Sequence, residues 1–148
     1  MDFIKEALTL GFNNAAVIDV KDLVFVLEYR QFCEENLCGN FNVISSCPPA
    51  CGTPEEMHRK ALNYKKALIL QTVLESPEEQ SDVKKAKCNH NLLTEKLYKK
   101  MAADAETTPL LISAGPYKHF SCMSAYGIDA QKMADAANML CWTQDEKI

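Results

Sequence analysis

The chain has 148 residues, 47% hydrophobic and 24% charged, a balance that excludes a wholly disordered polymer and suits one domain with its own core. A chain of this length buries roughly 70% of the surface it exposes when unfolded, so it needs no disulfides to be stable. The net charge of −4 argues against nucleic acid as a partner, and no apolar run approaches the roughly 20 residues of a membrane span.

The first six residues, Met1 to Glu6, carry charges where a secretion signal needs an apolar stretch, so a cytoplasmic location is expected. From Asp2 to Leu10 the pattern predicts a short amphipathic helix, with Phe3, Ile4, Ala7 and Leu8 on one side and Gly11 as its stop. Ala15 to Val20 and Leu23 to Glu28 are short, apolar and β-branched, which predicts a hairpin around Lys21-Asp22. A short helix or irregular turn follows, ending at Gly39. Thr53-Pro54-Glu55-Glu56 has the grammar of a helix start: a capping hydroxyl, a proline at the first helical position and an acid placed for a capping box. Lys66 to Leu74 reads as a central strand. Ser76-Pro77-Glu78-Glu79 repeats the starting grammar, and Val83, Ala86, His90, Leu93, Leu97 and Met101 form one stripe of a helix reaching about Ala103. Thr108 to Pro116 reads as a further strand, and Asp129 as the cap of a last helix. The expected architecture is a single α/β domain over residues 1–148, a sandwich with a mixed sheet of about four strands flanked by helices.

Seven cysteines are many for a reducing compartment, where clustered thiols point to metal or redox chemistry. Cys33, Cys38, Cys47 and Cys51 fall within nineteen residues as C-x4-C-x8-C-x3-C. Four thiolates at this range can close on one ion, and soft sulfur favours zinc or an iron–sulfur centre over magnesium or calcium. Pro48-Pro49 is expected to hold the loop extended, and the helix after Thr53 to aim its positive end near Cys51. The spacing matches neither paired C-x2-C knuckles nor a ferredoxin run, so small buried hydrophobes around a proline corner are the competing explanation.

Residues 29–73 carry an ordered set: Cys33, then Asn36 one residue removed from Cys38-Gly39, then Phe41, then Ser46-Cys47-Pro48-Pro49, then a helix and an apolar run ending near Gln71. Together with Ala125-Tyr126-Gly127-Ile128-Asp129, this set resembles a domain-of-unknown-function family of predicted metal-binding proteins common in anaerobic bacteria and archaea. The likeness runs from about Tyr29 to Ala137. It implies that Cys33, Cys38 and Cys47 are the proximal ligands, with an iron–sulfur cluster favoured over zinc. Cys51 enters as a fourth ligand on local spacing. The family's distal cysteine-rich stretch is missing, since Pro116 to Cys122 contains one cysteine. A second centre is therefore in doubt, and Cys122, with His119 one turn away, becomes a further ligand candidate for the first.

Cys88 and His90 lie about 160° apart on a continuous helix and cannot share an ion. His58 is expected at the surface. The resulting expectation is a metal-binding protein of redox or structural role, serving a redox or protein partner. Its rivals are a metal-free interaction domain and a thiol oxidoreductase using Cys47 and Cys51, whose C-x3-C spacing departs from the C-x-x-C of that chemistry.

Overall fold

The structure, a computed structural model, describes residues 2–35, 42–43, 46–73, 80–104, 108–113, 117–118 and 120–139, with the backbone alone at 32, 33, 80, 81 and 124. In chain order the elements are α1 (Phe3–Leu10), β1 (Asn14–Asp19), α2 (Arg30–Glu34), α3 (Pro54–Leu62), β2 (Lys66–Gln71), α4 (Gln80–Asp104), α5 (Met123–Tyr126) and α6 (Ala130–Ala136). Short 3₁₀ turns occupy Val20–Asp22 and Leu27–Tyr29.

Local signals set the ends of several helices. The Asp2 carboxylate accepts the Lys5 N–H at 3.2 Å, and α1 stops at Gly11, whose own N–H returns to the Ala7 and Leu8 carbonyls. The capping box at α3 is complete: the Thr53 hydroxyl accepts the Glu56 N–H at 3.1 Å and the Glu56 carboxylate accepts the Thr53 N–H at 3.0 Å. Asp129 caps α6 through the Lys132 N–H at 3.0 Å. The second Ser-Pro-Glu-Glu signal, at 76–79, lies outside the described residues.

β1 and β2 pair antiparallel, with Asn14 opposite Gln71 and Asp19 opposite Lys66. Side-chain pairs between these same residues pin both ends of the ladder. Alternation then divides the strands between two layers. Ala15, Leu68 and Leu70 face α1 and α4, joining the core of Ala7, Phe12 and Leu97. Ala16, Ile18, Ala67 and Ile69 face the other way, toward Leu23, Met133 and Ala137. A third cluster of Met57, Ala61, Ala125, Tyr126 and Ile128 ties α3 to α5.

The α/β class stands, but the expected sheet of about four strands is corrected. Among the described residues the sheet has two strands. Leu23 to Glu28 does not form a hairpin with β1, because the Val20–Asp22 turn leads it away and β1 gives its ladder to β2. It pairs instead by one bridge, Phe25 with Ile128, flanked by Val26 N–H to Gly127 C=O at 2.6 Å and Asp129 N–H to Val24 C=O at 2.9 Å. The expected strand from Thr108 to Pro116 contributes, over 108–113, one parallel bridge, Ser113 with Cys122, and its end at 114–116 lies outside the described residues. Among the described residues no helix is long and apolar enough to cross a membrane.

Candidate metal centre

The loop before α3 folds back on itself. The Cys51 N–H bonds the Cys47 carbonyl and the Gly52 N–H bonds the Pro49 carbonyl, each at 3.2 Å, so Cys47 and Cys51 begin and end one turn. The Pro48–Pro49 peptide is cis. The two turn hydrogen bonds across the proline pair make it a corner, which corrects the expectation of an extended arm. Ser46 and Cys47 are buried, and Cys51 is half-buried at the mouth of α3. Gly52 has φ +121°, a value that a side chain would strain, and its carbonyl points back to Arg30.

A second wall comes from the far end of the chain. The bridge between Ser113 and Cys122 sets the start of α5, and Cys122 packs on the same Met57–Ala125–Tyr126 cluster as Cys51. The Cys51 thiol lies 3.6 Å from the Met57 sulfur. Arg30, from α2, closes the base. It is 7% exposed, and its Nη1 donates to the Gly52 carbonyl at 2.7 Å. Its Nη2 donates to the Ala125 carbonyl at 2.9 Å and lies 3.0 Å from the Met57 sulfur. Among the described residues its Nε, though buried, has no hydrogen-bond partner, and neither has the Ser46 hydroxyl.

Electrostatics in this pocket are dominated by desolvation. Burial pushes the Cys51 thiol above its ordinary 9.0, and the nearby Cys122 adds to the rise. The Arg30 charge and hydrogen bonds from the Cys51 backbone and Ser121 act in the opposite direction. Tyr126 is pushed up to about 12, first by burial, then by the Cys51 and Tyr64 charges. Both groups therefore stay protonated at neutral pH. A raised thiol is the opposite of what an attacking thiolate needs, which weighs against Cys51 as a nucleophile. Binding a metal there would displace its proton.

Of the ligand candidates, Cys51, at the end of the turn, and Cys122, on the facing wall, pack on one cluster, while Cys47 is buried at the start of the turn. Cys33 falls within α2 three residues after Arg30, with its side chain outside the described residues. Cys38 and His119 also lie outside them. Among the described residues no three His, Cys, Asp or Glu side chains are grouped closely enough to hold a metal ion. Cys88 is exposed on α4, while His90 packs edge-on to Phe12 and contacts the Thr72 hydroxyl at 2.7 Å. His58 stacks on Phe25 at 4.3 Å and so is less exposed than expected.

A family model described as predicted metal-binding protein (DUF2284) matches residues 16–120. The chain belongs to that family. No curated protein and no solved structure matches it. The family match begins in β1 and ends just before Cys122, so it spans the cysteine loop, α3, β2 and α4. Sequence reasoning missed Arg30 at this site, because nothing local marks an arginine whose partners are carbonyls of Gly52 and Ala125. Tyr126 was within reach, since it stands in the Ala125–Asp129 motif that already drew notice.

Proposed function

We propose that this member of a predicted metal-binding family holds a thiolate-ligated metal centre at the α2–α3 corner. The ligands are Cys33, Cys38, Cys47 and Cys51, with Cys122 and His119 as the further candidates. The observation that carries the reading is the meeting of Cys51 and Cys122, from opposite halves of the chain, on one cluster next to the buried Cys47 turn.

The chemistry of the pocket suits a soft ion. Its donors are thiols and the Met57 thioether, which prefer soft ions to hard ones. On the family resemblance an iron–sulfur centre is favoured over zinc, giving a redox or a structural role. Such a cluster supplies one-electron transfer, whereas zinc supplies a fixed cross-link. The chain's own residues do the rest. The Cys47–Cys51 turn presets two sulfurs, the α3 N-terminus lends positive potential beside Cys51, and Met57 with Tyr126 keeps water from the inner wall.

Anaerobic purification followed by absorbance and metal analysis tests this. Iron and sulfide with broad visible absorbance is the expected result, lost in Cys47→Ser and weakened in Cys51→Ser. One zinc without colour would retain the thiolate site and assign it a structural role. A protein with no metal and all thiols open to alkylation would overturn the proposal in favour of a metal-free interaction domain.

A further inference from the structure

Glu95 is a buried carboxylate to which the candidate centre gives no task. It stands on α4 at 8% exposure. Its two oxygens accept from Lys118 Nζ at 2.9 and 3.0 Å, and the Tyr117 hydroxyl donates to its Oε1 at 3.4 Å. Farther along α4, the Tyr98 ring meets the Phe120 ring edge-on at 5.4 Å. The helix thus grips both sides of the Tyr117–Phe120 bridge. That bridge is tied in turn to Ser113, which is 1% exposed. The Ser113 hydroxyl donates to the Phe120 and Ser121 carbonyls at 3.4 and 3.3 Å, and its N–H to the Ser121 carbonyl at 3.0 Å. Ser113 also accepts the Met123 N–H at 3.2 Å and pairs with Cys122. A continuous run of contacts therefore leads from the Glu95 carboxylate to the backbone of Cys122. Two features set this clasp apart from ordinary packing. Lys118 has φ +53°, a left-handed conformation that persists in such a residue only where its surroundings hold it. A carboxylate taken out of water adds little stability over an apolar residue of similar size, whereas it does fix the register of the segment it holds.

We propose that Glu95 is the positioning residue of Cys122. Through Lys118 it sets how the Tyr117–Phe120 bridge lies on α4. Through Ser113 that bridge sets Cys122 on the Met57–Ala125–Tyr126 cluster, where Cys51 also packs. Glu95 acts at a distance, through main-chain contacts, and is not a ligand. The assignment rests on the metal-binding reading above and deepens it by naming the contact that fixes the wall facing Cys51.

The experiment uses the full chain, reduced and metal-free, with iodoacetamide alkylation followed at each cysteine by mass spectrometry. Exposed Cys88 reports the reagent, and buried Cys47 reports general loosening of the fold. Losing one hydrogen bond to a charged group shifts an equilibrium by about tenfold or more. Glu95→Gln and Lys118→Gln should therefore each speed alkylation of Cys122 by about tenfold, with Cys47 and Cys88 at wild-type rates. The double variant should add nothing further, since both changes remove the same contact. Lys118→Arg keeps the charge and should stay near wild type. A merely structural role would raise Cys47 in step with Cys122 and lower the urea midpoint to match. That result would overturn the proposal, as would an unchanged Cys122. Should Glu95→Gln fail to fold, Lys118→Gln, at a side chain 54% exposed, decides alone. Co(II) titration of the wild type, read from the thiolate-to-cobalt absorbance, separates the two readings. No uptake would overturn the metal reading, whatever the alkylation shows. Uptake with a Cys122 rate indifferent to Glu95 would overturn the positioning role alone.

Discussion

At Gly127 the chain leaves no space for any other residue. Its φ is +76°, and a Cβ there would stand 2.7 Å from the Val26 carbonyl oxygen and 3.2 Å from its carbon. The Gly127 carbonyl also accepts the Val26 N–H, so the two backbones cannot part without losing the Phe25–Ile128 bridge. Replacing Gly127 by alanine adds backbone strain of about 1–2 kcal/mol to a clash with main-chain atoms. We expect a total loss of about 2 kcal/mol or more, measurable as a lowered urea midpoint. Tyr29, which donates to the Asp129 carboxylate at 3.3 Å, holds the same junction from its other side. The Ala125–Asp129 motif thus has a packing role: its carbonyls and buried faces seat Arg30 and the Leu23–Leu27 segment. Its recognisable sequence reflects that fit as much as any chemistry.

At the scale of elements, α3 joins local grammar to the site. Its capping box orients the helix whose first turn follows Cys51 and Gly52, and whose Met57 reaches both Cys51 and Arg30. Thr53→Ala should cost about 1 kcal/mol, since the side-chain acceptor for the Glu56 N–H is lost. Because the cap also fixes the loop, thiol alkylation at Cys51 should speed up in that variant, and unchanged alkylation kinetics would show that the cap does not govern the loop. Legibility differed sharply between elements. Thr53 and Asp129 announced α3 and α6, because a capping interaction spans only three residues, and α1 was announced by its apolar side and the Gly11 stop. Leu23 to Glu28 misled, because an apolar β-branched run only requires burial. Here burial comes from the Met57–Ile128 core and not from a sheet.

For the molecule as a whole, the two-stranded sheet works as a partition, with α1 and α4 on one face and Leu23 with α6 on the other. Its stability should respond to pH in two windows. Burial holds His90 below its ordinary 6.5, so the unfolded chain binds the proton first, and stability is lost as pH falls from 6.5 through the lowered folded value. Lys66 lowers the Asp19 carboxyl, the α3 cap lowers Glu56, and Lys118 lowers Glu95. Their contributions are present above the ordinary values of 4.5 for glutamate and 3.8 for aspartate and are lost as pH falls through the depressed ones. Urea midpoints across this range should show both declines, and His90→Gln should remove the upper one alone. By itself, the sequence determined the helix caps, the paired strands as segments, the long α4 stripe and the cysteine-loop family, because each is written in neighbouring residues. Which strand pairs with which, that Cys122 meets Cys51, and that Arg30 is buried beneath them were decided only by the tertiary structure. Those outcomes depend on burial and charge shared between residues far apart in the chain, and no local spacing encodes them.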